Sequence, residues 1–227
     1  QRQMCIRDSD NPVIFITQLR AMIRASAGLG NLQILVPMVS RVEEAEESLE
    51  LIQRTWRELV NEGEDVAMPA CGFMIEVPSA VYQSGTLAQY ADFLSIGTND
   101  LTQYLLAVDR SNERVAARFE SLHPAVIEAL QHVVAEARRH DTPVSVCGQA
   151  AGDPCMAILL MGMGINGLSM SASDLPRIKA VIRSFSRRQA QALLHDALQL
   201  NKASQISELL TGALIEAGLS GLLRAGA

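Results

Sequence analysis

The chain is 227 residues long, 48% hydrophobic, and carries a formal net charge of -6. That is enough apolar material for one cored domain with an appendage. A pI near 5.3 argues against a surface built for nucleic acid or an anionic membrane. No apolar run approaches the roughly 18 residues of a membrane-spanning helix; the longest, MAILLMGMGI, is interrupted by glycines. The N-terminus QRQMCIRDSD has no apolar stretch of the secretory kind. Cys5, Cys71, Cys147 and Cys155 form no CxxC pair, so neither a zinc site nor a disulfide framework is suggested. A reduced, cytoplasmic protein is expected.

Residues 1–9, QRQMCIRDS, show no periodicity and no initiating Met opens the chain. They are expected to be a non-native leader, with native sequence beginning near Asp10. PVIFITQLRAMIRAS has helical spacing, and LQILVPMV reads as a buried strand. Ser40 and Glu43 have capping-box spacing ahead of a long apolar stripe at Val42, Ala45, Leu49, Ile52, Trp56 and Leu59. ACGFMIEVPSA is a second strand, followed by a short helical piece from Gly85 to Tyr90. ADFLSIGT is a third strand and turns at once into a helix, where Asp100 and Gln103 again have capping-box spacing. Pro124 to His140 forms a helix opened by proline, TPVSVCG a fourth strand, and Asp153-Pro154 the start of the helix CMAILLMGMG. GLSMS is a last short strand before LPRIKAVIRSF, and the tail from Ser186 is helical without strands. Continuous apolar strands alternating with helices indicate an α/β fold with a parallel sheet covered on both faces, either a barrel or a doubly wound sheet. About five strands are too few for a closed eight-stranded barrel of about 250 residues.

Polar groups recur at the strand ends. Glu76 ends an apolar strand just before Pro78, Asn99 and Asp100 follow the next strand, and Cys147 precedes Gly148 after the one beyond. A buried carboxylate is costly unless a cation or a metal compensates it. Two carboxylates without histidine suit a hard cation such as Mg²⁺ shared with substrate oxygens. A thiol there is neutral near pH 7 and can donate a proton. Each feature alone has a plainer reading: Asp100 as a helix cap, Glu76 as half of an ion pair, Cys147 as core packing. Their recurrence at one end of successive strands favours an active site.

The strings MIEVPSA, FLSIGTNDLTQYLLAVDRSN, LHPAV, VSVCGQAAGDP and GLSMSASDLPRIK stand in this order along the chain. Together they resemble the C-terminal domain of Enzyme I-type phosphoenolpyruvate–protein phosphotransferases. The tail NKASQISELLTGALIEAGLSGLL is similar to the nitrogen-related branch. The resemblance implies an incomplete TIM (β/α)8 barrel over residues 10–185, about five of eight strands, with a helical extension over 186–227. The strands at LQILVPMV and GLSMS would then be unpaired edges. It further implies that Glu76 and Asp100 bind Mg²⁺, that Asn99, Asp100 and Arg110 hold phosphoenolpyruvate, and that Cys147 protonates the enolate as pyruvate forms. An HPr-type phosphocarrier protein and a homodimeric assembly are the implied partners. One departure is Gln149, where the family carries a glutamate after Cys-Gly. None of His123, His132, His140 and His195 is expected to accept the phosphoryl group. Pyruvate phosphate dikinase and phosphoenolpyruvate synthase share this barrel logic, and a non-catalytic dimerisation or regulatory module is the remaining alternative.

Overall fold

A computed structural model describes residues 12–109, 112, 115 and 118–223 of the protein. The expected leader and Arg110 lie outside the described residues. Five strands form one all-parallel sheet: β1 (Gln33–Val36), β2 (Ala70–Ile75), β3 (Phe93–Gly97), β4 (Val144–Cys147) and β5 (Gly167–Ser169). Their order across the sheet is their order along the chain. A doubly wound sheet reverses direction at a switch point, whereas a barrel adds each strand beside the last. The five strands are therefore an arc of a (β/α)8 barrel, with β1 and β5 as its edges.

Ten α-helices are described: α1 (Pro12–Ala25), α2 (Val42–Asn61), α3 (Pro78–Tyr82), α4 (Ser84–Tyr90), α5 (Thr98–Leu106), α6 (Pro124–Arg138), α7 (Pro154–Met163), α8 (Leu175–Ser184), α9 (Arg187–Ala197) and α10 (Ala203–Glu216). Both expected capping boxes resolve differently. The cap of α2 is Arg41, with no side-chain bond, while the Ser40 N–H and hydroxyl donate to Glu44 Oε2 at 2.8 and 3.0 Å. The helix α5 begins at Thr98 behind Gly97, so Asp100 lies within its first turn rather than at its cap. Strand β2 stops at Ile75 because Pro78 opens α3. Asp153 does cap α7, accepting from the Met156 N–H at 2.7 Å.

Two layers of apolar packing hold the arc. Phe15, Leu19 and Ile52 close against Ile34 and Cys71 on the outer face of β1 and β2. The larger core joins the strands to α6 and α7, and Ala190, Leu194, Ile206, Leu210 and Leu214 of α9 and α10 belong to it. The helical tail is thus packed into the barrel core. Nearly every residue of α7 is buried, so the helix is apolar around its whole circumference. At Gly162 an added Cβ would lie 2.5 Å from the Ala190 carbonyl oxygen, so this glycine lets α7 and α9 approach backbone to backbone.

Glycine in mid-helix costs about 1 kcal/mol relative to alanine. Gly162→Ala is nevertheless expected to lower stability by about 2 kcal/mol, because overpacking displaces α9. Gly212→Ala in α10, where an added Cβ meets nothing within 4 Å, is expected to raise stability by about 0.5–1 kcal/mol. Urea denaturation of the two variants beside the parent checks this; equal and positive shifts would show that the α7–α9 contact is not close-packed.

Candidate active site

The strand register brings the polar groups onto one rim. Ile75 pairs with Ile96, Gly97 with Cys147, and Cys147 with Ser169, so the carboxyl ends of β2 to β5 lie level. Glu76, one residue beyond β2, is only 4% exposed. Its Oε1 accepts from the Met38 N–H at 2.8 Å, and its carboxyl group is hydrogen-bonded to that of Asp100. An ion pair of Glu76 with lysine or arginine is not found among the described residues; its neighbours are a backbone amide and a second acid. Burial pushes the Glu76 carboxyl up to about 7, the Met38 amide pulls the other way, and the adjacent Asp100 adds to the rise.

Two glycines are required by close approach. A Cβ at Gly97 would stand 2.7 Å from Glu76 Oε2. Gly148 has φ 97, and a Cβ there would meet Thr98 Oγ1 at 2.6 Å. The loop after Cys147 is consequently drawn against the start of α5. Thr98 Oγ1 donates to the Cys147 carbonyl at 2.8 Å, and the Gln149 N–H donates to Asn99 Oδ1 at 3.0 Å.

Cys147 is half-buried, with its sulfur 3.5 Å from the Ile96 carbonyl oxygen and 3.9 Å from the Ser95 hydroxyl. Burial raises its pKa above the ordinary thiol value; the Ser95 hydroxyl opposes this, and Glu76 and Asp100 reinforce it. The thiol is therefore held protonated at neutral pH.

A cleft of about 880 Å³ opens beside the Asn99 and Cys147 part of this rim, lined by Asn99, Cys147, Gly148 and Gln149 on one side, with neither Glu76 nor Asp100 in its lining. On the other side are Ser169, Ser171, Asp174 and Arg177. Arg177 was missed by sequence reasoning. Its Nη2 donates to the Gly152 carbonyl at 2.8 Å and to Asp174 Oδ1 at 3.0 Å, while its Nε is buried without a partner. The only sequence signal was a basic residue in the first turn after the last strand. Ser95, Thr98 and the Met38 amide were also unforeseen, because neutral residues inside apolar runs carry no signature. The four sequence-derived residues Glu76, Asn99, Asp100 and Cys147 do lie along one rim. None of the described residues lining the cleft is a histidine. His123 instead caps α6, its Nδ1 accepting from the Ala125 N–H at 3.2 Å.

Comparison with known proteins places the chain in a family. Residues 3–187 match the family described as "PEP-utilising enzyme, PEP-binding domain". An Escherichia coli K12 protein named "Phosphoenolpyruvate-dependent phosphotransferase system" is 42% identical over 218 residues, covering 96% of this chain and 29% of that protein. A "Phosphoenolpyruvate-protein phosphotransferase" of Cupriavidus necator is 44% identical over 190 residues, covering 83% of this chain and 32% of that protein. The chain thus spans less than a third of the length of these relatives. Among solved structures, a citrate lyase from Burkholderia xenovorans superposes with a TM-score of 0.55 at 14% identity, over 92% of this chain and 73% of that one. That likeness shows the fold alone. With a family match over most of its length and a rim of strand-end acids, thiol and amide, the chain belongs to the PEP-binding domain family of PEP-utilising enzymes.

Proposed function

We propose that this domain binds phosphoenolpyruvate with Mg²⁺ and serves a phosphotransferase that moves the phosphoryl group to a histidine and then to an HPr-type carrier protein, releasing pyruvate. The observation that carries this reading is the contact of Glu76 with Asp100 beside the Cys147 thiol on one barrel rim. A buried carboxyl group pressed against a half-buried one is an unfavourable arrangement by itself. The two form an all-oxygen donor set that fits a hard divalent cation. Bound there, Mg²⁺ would neutralise charge on the phosphate and enolate oxygens.

The chain's own residues supply the rest. Asn99 spends its carbonyl oxygen on the Gln149 N–H, which leaves its NH₂ as a donor towards phosphate. No side chain caps α5, so its first N–H groups, at the positive end of the helix dipole, can receive an anion. Arg110, outside the described residues, is proposed as a guanidinium clamp. In the reaction the bond between phosphorus and the enol oxygen breaks, and the phosphoryl group passes to the histidine nitrogen. The electron pair left on oxygen becomes the carbonyl of pyruvate, and the methylene carbon takes the Cys147 proton. The resulting thiolate is reprotonated from solvent. The Ile96 carbonyl and Ser95 hydroxyl orient the sulfur for that transfer.

The names of the relatives support a protein phosphotransferase over a dikinase, and the tail's resemblance supports the nitrogen-related branch. A homodimer in the cytoplasm belongs to the same proposed reading.

In the full-length protein, Asp100→Ala is expected to reduce phosphoenolpyruvate-dependent phosphorylation about 10³-fold with an unchanged circular dichroism spectrum, the loss typical of a removed electrostatic stabiliser. Parent-like activity and Mg²⁺ dependence would leave Asp100 as a first-turn helix charge only.

Cys147→Ala should separate binding from chemistry. Phosphoenolpyruvate affinity is expected to stay within about threefold of the parent while pyruvate release falls at least about 10²-fold, as for loss of a general acid. Turnover at the parent rate would make Cys147 a packing residue.

The raised Glu76 pKa also fixes a pH dependence. The group sits near 4.5 in an unfolded chain and about 7 here. Its stabilising contribution is present below about pH 4.5 and is lost as pH rises through about 7. Without divalent ions, the parent should therefore lose about 3 kcal/mol relative to Glu76→Gln across that window, at about 1.4 kcal/mol per pKa unit. Millimolar Mg²⁺ should restore the difference at pH 7.5 in the parent and not in the variant. Parallel stability curves with and without Mg²⁺ would remove Glu76 from the metal site.

A further inference from the structure

At the opposite end of the strands, where β4 and β5 begin, lies a second hollow of about 320 Å³, lined by Arg138, Asp141, Thr142, Gly164, Asn166 and Arg187 among others. Arg138 is the last residue of α6, and Arg187 the first of α9. Their guanidinium groups converge: Arg138 Nη2 lies 2.8 Å and Arg187 Nη2 3.3 Å from the point where a Cβ on Gly164 would stand. Gly164 has φ 84, a left-handed backbone closing α7, and its missing side chain keeps that space open.

Neither arginine is in an ion pair among the described residues, although the Asp141 carboxylate lines the same hollow. Arg138 donates to the Met163 carbonyl at 2.7 Å, which complements the end of α7 and leaves its other N–H groups available. Arg187 makes no hydrogen bond or ion pair among the described residues. It also stands in the first turn of α9, where the helix dipole disfavours a cation. Both arginines are solvent-exposed, so water and salt screen their mutual repulsion, and an anion between the two groups would relieve what remains. The neighbouring Asn166 adds a donor: its carbonyl oxygen accepts from the Val144 N–H at 2.9 Å, so its NH₂ group remains to be used. Asp141 lines the same hollow but pairs with neither arginine. Thr142 does not contribute, its hydroxyl being committed to the Ala88 carbonyl at 2.8 Å.

We propose that this hollow is a second oxyanion site, distinct from the catalytic cleft, in which Arg138, Arg187 and Asn166 hold a small polyvalent oxyanion of the phosphate class. Two guanidinium forks with an amide donor match the oxygen edges of a tetrahedral anion, and charge-assisted bonds of this kind are the strong ones. The site lies on the stability face of a barrel, away from the rim where βα loops carry chemistry. It is joined to the cleft by β4 itself, which begins at Val144 beside the hollow and ends at Cys147. The inference does not depend on the proposed phosphotransfer.

The test is calorimetric titration of the full chain with inorganic phosphate, in the Asn99→Ala background so that the cleft contributes little. Saturable binding is expected to persist there, to weaken at least tenfold in Arg187→Gln and in Arg138→Gln, and to tighten in Asp141→Asn. The last change keeps the fold safe, because asparagine accepts the left-handed backbone at this position, φ 54. Competition with sulfate but not with an equal concentration of chloride is expected of a built site. An adventitious ion only would show as phosphate binding that chloride displaces equally well. That result, binding unchanged in both arginine variants, or no saturable binding at all would overturn the proposal.

Discussion

The contact between the Glu76 and Asp100 carboxyl groups is the constraint around which the candidate rim is arranged. Burying one acid against another costs several kcal/mol unless a cation or a shared proton relieves it. Each close neighbour can be read as accommodating that cost. Gly97 must lack a side chain because Glu76 occupies the space a Cβ would take. Met38 adopts φ 56, unusual for a side-chain-bearing residue, and its N–H meets Glu76 Oε1. Backbone strain of this kind persists where the surroundings over-determine it, and it gathers at functional sites. The consequence is a Glu76 carboxyl raised to about 7, which in the proposed reading gives up its proton when a divalent ion binds.

That arrangement needs a rigid base, and the packing behind the rim provides one. Helix α7 is apolar on all sides and is enclosed by the sheet, α8, α9 and α10. The same helix starts at the Asp153 cap, immediately after the turn that carries Gly148 to Gly152. Fixing α7 therefore fixes the loop that follows the thiol. Arg177 completes this from the far side of the cleft by holding the Gly152 carbonyl.

Sequence pattern made the strands legible because parallel buried strands are continuous apolar runs, and it made the rim legible because ionisable residues at the ends of such runs stand out. Glu76, Asp100 and Cys147 were singled out this way, and the structure sets them along one rim. The choice between a barrel and a doubly wound sheet was not legible from periodicity, since both alternate strand and helix; the sequential strand order decides it. The capping boxes failed for a local reason. Ser40 prefers Glu44 over Glu43, and α5 starts two residues earlier than Asp100 because Gly97 already turns the chain. Capping spacing identifies a helix start to within a residue or two, and only the chain's exit from the strand sets the final residue. Arg177 and the arginine pair at the opposite face were invisible because nothing in a linear pattern reports that side chains from separate helices converge.

The departure at Gln149 can be weighed on the same geometry. The bond that ties the thiol loop to α5 runs from the Gln149 backbone N–H to Asn99, and it does not depend on the side chain. Exchanging a carboxylate for an amide at this exposed position leaves that tie intact. What changes is charge: one negative group fewer lines a cleft that already carries Asp153 and Asp174 and is read as receiving a phosphate. By Coulomb's law a nearby carboxylate opposes anion binding and favours a protonated neighbour. With glutamine, Cys147 relies on burial and on the Glu76–Asp100 pair to keep its proton. The substitution therefore shifts the electrostatic balance of the cleft towards the anion while the positions of the reacting groups stay as the backbone sets them.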